Sequence, residues 1–534
     1  MIYTATMSSE KKQMNAVTSR VTVFSSDELN THNLVATITS ANGGQVKVTN
    51  DVDMAMKLAL EGDVDYDEKK DKALRWKIDL FLMPALMVLV TSLYMDKSAL
   101  STSAILGLQK SLGMKGDMYS WTSSAFYLGY LVFELPASFL LQRFPLAKTL
   151  SCFVILWSMI LILHGAVKSY AGLMALRVIL GMLESSINPG LMLITSQYYK
   201  VDEQFLRTSV WFCCSGIATI LNNCIGYAMV KYENSYSVEP WRLNLYIIGA
   251  VSLGIGFFVL AYLPDEPSKA RFLTMEDKKR LVERLRGNQQ GFGSKRIKKN
   301  QIKEALTDVV TWYYFFYGVS SDIPSGAIGS FGSILLNDDF KFSTKKSMLM
   351  KLPSGAVIFP GNPLFVWACL KIWKSRMFVS VFSTIICIVA ACMLAWPNGN
   401  NKVGLAGYYL QELCPISMVQ CLSCFSSNTG GTTKKAVMDA IFLIGYCAGM
   451  VIGPQTFIES QAPDYIGGKI AIVVSYTTSL VFLILIWWEY DRRNRKNSKH
   501  LREHPEIEEE ARLIQNIEFA DLTDKENPLF RYST

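Results

Sequence analysis

Apolar runs of near-spanning length fill the chain between residues 78 and 488. The first six are Ile78–Tyr94, Tyr119–Leu141, Ser151–Val167, Ala171–Thr195, Ser209–Val230 and Leu243–Leu263. A polar break follows. Six more then run Thr311–Leu336, Ser347–Leu370, Phe378–Trp396, Val403–Phe425, Ala436–Ile458 and Ile470–Trp488. A membrane-crossing helix needs about 20 mostly apolar residues, so the pattern predicts about twelve spans, six and six. Pro353, Pro360 and Pro363 cut the eighth run and Pro415 the tenth, which is tolerable where neighbouring helices re-satisfy the freed backbone. In the eleventh, Gly445, Gly449 and Gly453 recur every four residues on one face, a stripe that lets another membrane helix approach closely. Lys434 and Lys435 stand where that helix begins.

Composition agrees with a polytopic membrane protein. Half the residues are hydrophobic, and the mean hydropathy of +0.22 is held down by long polar tails. The formal charge of +8 concentrates in KALRWK before the first span, RFLTMEDKKRLVERLR and KRIKK in the central break, and DRRNRKNSKH after the last span. These clusters belong on the cytoplasmic side, so the charge reads as topology rather than as a nucleic-acid surface. Lys341, Lys345 and Lys346 fall in a loop expected outside. The region before Glu61 lacks periodicity and reads as a disordered tail, without a cleavable signal peptide. Thr274 and Asp277 form a capping-box-like helix start in the central loop. The eleven cysteines sit mostly inside spans, against a disulfide framework. No metal spacing, phosphate loop or nucleophile motif appears, so neither an enzyme nor an ATP-driven pump is expected, and no cofactor.

Polar residues within spans carry the functional reading, because a mid-bilayer charge costs about 2.5–3.5 kcal/mol on insertion scales. In the fourth span Arg177, Gly181, Glu184 and Asn188 share one helical face. Glu184 is placed to load a proton outside and lose it inside, and the Arg177 guanidinium can fork onto a substrate carboxylate. The alternative is that Arg177 and Glu184 lock neighbouring helices. Glu134 invites the same two readings, proton coupling or a brace for the following loop. Asn222 in the fifth span, and Tyr317 and Ser321 in the seventh with Asp322 beside them, could orient a ligand or serve as interhelical hydrogen bonds.

The wording TKKA…GYCAG…GPQ around Lys434, together with RWKIDLFLMP, YMDKSALSTSAILGL and RVILGMLESSINPG, resembles the fungal allantoate permease family of anion:cation symporters within the major facilitator superfamily. The likeness runs from about Arg75 to Arg495 and includes Asp96, Lys97, Glu203 and Arg207. The superfamily's loop signature survives as LLQRFPLAK with Arg143 and Lys148; its second-half counterpart keeps Arg376 but lacks the usual acid. The resemblance implies an all-α major facilitator fold of two six-helix bundles. The expected segments are a disordered tail over 1–74, bundles over 75–263 and 311–490, a central loop over 264–310 and a cytoplasmic tail over 491–534. It implies alternating-access, proton-coupled import of a small organic anion by a monomer in the plasma membrane or the endoplasmic reticulum. Asp96, Arg143, Arg207, Lys434 and Lys435 are the expected gating and loop residues. The rival readings are a proton-coupled exporter, whose glycine signature SGIATILNNCIGYA lacks, and a non-transporting nutrient sensor.

Overall fold

The computed structural model describes residues 34–39, 45–49, 68–286, 298–373, 375–503, 523–527 and 530–533. Among these, ten helices are long and apolar enough to cross a membrane. Two more segments bring the spans to twelve: the helix Val309–Asp338, and a tenth span broken into Asn401–Leu410 and Cys414–Asn428. The break is a 3₁₀ turn over Gln411–Leu413, one residue ahead of Pro415. In the eighth span a π turn over Val357–Gly361 absorbs Pro360, the local geometry expected where proline removes a helical hydrogen bond.

The chain divides into two compact units, one of residues 1–75 and 267–287, the other of 76–266 and 288–534. The first unit contains the antiparallel hairpin Leu34–Thr39 with Gln45–Thr49, inside the stretch expected to lack order. Its central-loop helix, Met275–Arg286, starts at the expected box: Thr274 and Asp277 exchange backbone-to-side-chain hydrogen bonds at 3.1 and 3.2 Å. Arg284 pairs with Asp71 at 2.8 Å in the same unit.

Small residues set the helix packing of the second unit. A Cβ on Gly445 or Gly449 would lie 2.5 Å from the carbonyl oxygen of Phe315 or Val319, and one on Gly453 would strike that of Ile323. The glycine stripe of the eleventh span thus seats on a matching four-residue row of the seventh. Gly216 and Gly355 face each other where the fifth and eighth spans cross, each blocking a Cβ on the other at 2.5 Å. Gly449→Leu has no room to relax, since backbone lies opposite; overpacking costs about 1–3 kcal/mol. A lowered melting temperature of the purified protein checks this, and an unchanged one would show that the two spans part freely.

Hydrogen bonds joining the first six spans to the last six cluster at the ends away from the basic clusters, the expected outer side. Ser101 donates to Ser333 at 3.0 Å, Tyr119 to the Ser330 carbonyl at 2.8 Å, and Ser123 and Ser330 lie 2.5 Å apart. Ser124 donates to the Val451 carbonyl at 2.8 Å and accepts from Gln455 at 3.0 Å. The outer ends are therefore closed.

Candidate functional site

The opening helix continues well beyond its first apolar run, through Ser103 and a turn over Ala104–Leu108. Asp96 and Lys97 consequently lie inside a span rather than at its mouth. Asp96, Arg177 and Glu184 are all but fully buried, whereas Lys97 is half-buried. Its ammonium stands 5.3 Å from the ring centre of Tyr94 and 5.8 Å from that of Tyr130, within cation–π reach. Asn188 reaches the same Tyr130 hydroxyl at 3.4 Å. Tyr127 of the second span meets Tyr446 of the eleventh edge-on at 6.5 Å, so this aromatic group touches both bundles.

Charges converge on this point. Lys97 acts on Glu184 most strongly, followed by Asp96 and Arg177, while Asp96 faces Arg177 first and Lys97 after it. Glu134 faces Lys97 from the second span and Asp439 from the eleventh. Neither carboxylate oxygen of Glu184 has a hydrogen-bond partner among the described residues, nor does Arg177 Nε, while Asp96 also faces the Trp157 indole. Buried polar groups normally have partners, so open valences gathered around one half-buried cation set this point apart from the rest of the bundle. Close packing fixes the frame: a Cβ on Gly181 would run into the Phe126 carbonyl, and one on Gly129 into that of Val178.

Other residues expected at the site fall elsewhere. Asn222 is fully buried and donates to Thr102 at 2.8 Å, a brace between the fifth and first spans. Tyr317 shares a hydrogen bond of 2.9 Å with Ser417, deep among Cys421, Cys424 and Phe425. Ser321 donates to its neighbour Asp322 at 3.0 Å. Arg207 forks onto Asp79 at 2.7 and 3.1 Å and lies over the Tyr199 ring. Arg143 is exposed at the end of the second span. Arg376, with no acidic partner among the described residues, donates to the hydroxyls of Ser423 at 3.0 Å and Ser427 at 2.9 Å. Lys435 caps Ser426 at 2.7 Å.

Lys434 is enclosed by three carboxylates, Glu304 at 2.9 Å, Asp308 at 3.2 Å and Asp524 at 2.7 Å. Arg493 reaches Asp308 at 2.5 Å and Glu489 at 2.8 Å. Burial pushes the Asp308 carboxyl up, but Arg493, Lys434 and Lys525 outweigh it and hold the group well below the usual carboxylate range. The motif reading passed over Lys351, which is buried in the eighth span and donates to Ser333 at 2.9 Å. A lysine inside an apolar run was the available signal.

A family model described as Major Facilitator Superfamily matches residues 86–484. The allantoate permease of Saccharomyces cerevisiae is 42% identical over 535 residues, covering 98% of this chain and 97% of that one. The thiamine pathway transporter THI73 of the same yeast is 32% identical, with 87% of each covered. A bacterial homologue of the lysosomal transporter Spinster, solved inward-facing and occupied, superposes with a TM-score of 0.57 over 76% of this chain and 96% of its own. Its 14% identity makes that a likeness of fold alone.

Proposed function

We propose that this chain, which belongs to the Major Facilitator Superfamily, imports a small organic anion together with a proton. It is a multi-pass membrane transporter and not an enzyme. The substrate reading starts from Lys97, a half-buried cation framed by tyrosines between the two bundles, where a carboxylate can be held while ring faces receive its planar groups. The yeast relative's name makes an allantoate-like carboxylate the first choice.

Coupling follows from charge. Around Lys97 and Arg177 stand the carboxyls of Asp96, Glu134 and Glu184, so acids already outnumber cations there by three to two. An incoming anion adds one negative charge to a site shielded from water. A proton on Glu184 offsets the charge the anion brings and so avoids closing the bundles over a further charge, a cost of the order of 2.5–3.5 kcal/mol. The loaded site then rocks between outward-open and inward-open forms, as such folds do around a midplane site. Release inside returns the proton to the less acidic cytoplasm. Arg177, facing Asp96, orients the pair and lends positive potential.

The observation that carries this reading is the set of unpartnered buried carboxyls beside Lys97. The test is uptake of labelled small carboxylates by cells overexpressing the protein, at acidic and neutral external pH. Uptake of one anion that rises with acidity and collapses with a protonophore supports symport. No uptake at either pH, with the protein present at the plasma membrane, sinks it in favour of export or sensing. A monomer in the plasma membrane completes the proposal.

A further inference from the structure

Residues 523–527 and 530–533 lie against the helices. Asp524 accepts from Lys434 at 2.7 Å, from the Gly430 amide at 3.4 Å and from the Tyr532 hydroxyl at 2.7 Å. Lys525 reaches Asp308 at 3.1 Å. The Tyr532 ring stacks on Tyr490 at 5.1 Å, with Arg493 over its face. Two asparagines then grip main chain. Asn428 donates to the Ser533 carbonyl at 2.8 Å and accepts from its amide at 2.6 Å; Asn494 does the same for Tyr532, both at 2.9 Å.

This is a peptide-binding arrangement. A side-chain amide that offers donor and acceptor together reads an extended backbone whatever its sequence. The buried lysine and the tyrosine shelf supply the specificity, for an acidic residue eight positions before an aromatic one. We infer that the basic end of the second bundle is a docking site whose ligand is the chain's own segment 523–533, and that docking restrains the site's closure on that side. The segment engages the ends of the tenth, eleventh and twelfth spans and, through Asp308, the start of the seventh. All these partners belong to the second bundle, so the restraint acts where its inner ends shift against one another as that side shuts, while the outer ends are already joined. The restraint rests on the alternating-access reading above; the docking does not.

The test separates the two. The purified chain ending at residue 522 is titrated with a labelled peptide of residues 521–534, and with its Asp524→Asn form. Saturable binding that weakens about tenfold for the substituted peptide, about 1.4 kcal/mol, is expected; no binding, or equal binding, overturns the docking site. Should the shortened chain not remain folded, carboxypeptidase digestion of the full chain replaces the titration. The Asp524→Asn/Tyr532→Ala variant should lose its terminus about tenfold faster than wild type, and equal rates overturn the proposal. Neither readout needs a substrate. For the restraint, initial uptake by the double variant should rise about twofold or more, and unchanged or slower uptake refutes it.

Discussion

Glu184→Gln is expected to abolish proton-driven accumulation while leaving exchange of labelled for unlabelled anion intact. Glutamine keeps the size of the side chain and presents a permanently neutral group, so it mimics the loaded carboxyl and cannot release a proton. The helix that carries it is held by the contact of Gly181 with the second span, and the substitution adds no volume there. One proton carried with a singly charged anion moves no net charge, so the pH gradient alone drives accumulation, about tenfold or 1.4 kcal/mol for each pH unit, and this is the accumulation to be lost. Uptake should also stop responding to external pH. The measurement is accumulation in proteoliposomes under an imposed proton gradient, beside counterflow without one. Intact accumulation in the folded variant would remove Glu184 from the coupling and turn attention to Glu134 and Asp96.

The second large effect falls on stability. Lys434→Met withdraws the ammonium from Glu304, Asp308 and Asp524 at once. Removing one partner of a buried ion pair costs about 3–5 kcal/mol because the other charge is stranded. Asp308 keeps Arg493 and Lys525, which places the loss near the lower end, about 3 kcal/mol. Adding Asp524→Asn to Lys434→Met should recover part of it, since one stranded charge disappears. The pH dependence has a defined sign. Asp308 is held below its unfolded value, so its contribution is complete above that value and drains away as the medium is acidified below about pH 4. Wild type should therefore lose melting temperature on acidification more steeply than Lys434→Met. Equal melting of the two proteins at neutral pH would mean that the web contributes nothing net.

Much of this was legible along the chain, and the failures have a common cause. The four-residue spacing of Gly445, Gly449 and Gly453 announced a tight helix contact, but only the fold names Phe315, Val319 and Ile323 as its other side. Arg177 and Glu184 are both buried in the helix Tyr170–Glu184, whereas Asn188 follows a turn at Ser185–Ser186, in the helix Ile187–Tyr198. Lys97 lies beyond its apolar run, which stops at Tyr94, whereas the helix itself continues to Ser103. Asn222 and Tyr317 sat on well-marked polar stripes, yet a stripe does not say whether it faces the other bundle or its own. Both turned to their own, toward Thr102 and Ser417. The web around Lys434 was out of reach for the same reason: Asp524 lies 90 residues away in sequence, in what read as solvated tail.

The outer closure is built almost wholly from neutral hydroxyls. Ser101, Tyr119, Ser123 and Ser124 meet Ser330, Ser333, Val451 and Gln455 without an ion pair among those bonds. Interhelical bonds of this kind contribute about 0.6 kcal/mol each, so all five together amount to about 3 kcal/mol. A latch of that size is undone by thermal motion many times a second, and its hydroxyl bonds carry no charge for salt to screen; two titratable groups touch it, Glu459, which accepts from the Gly116 amide, and Lys351, which donates to Ser333. External acidity thus meets the door at those two groups and leaves its hydroxyls alone.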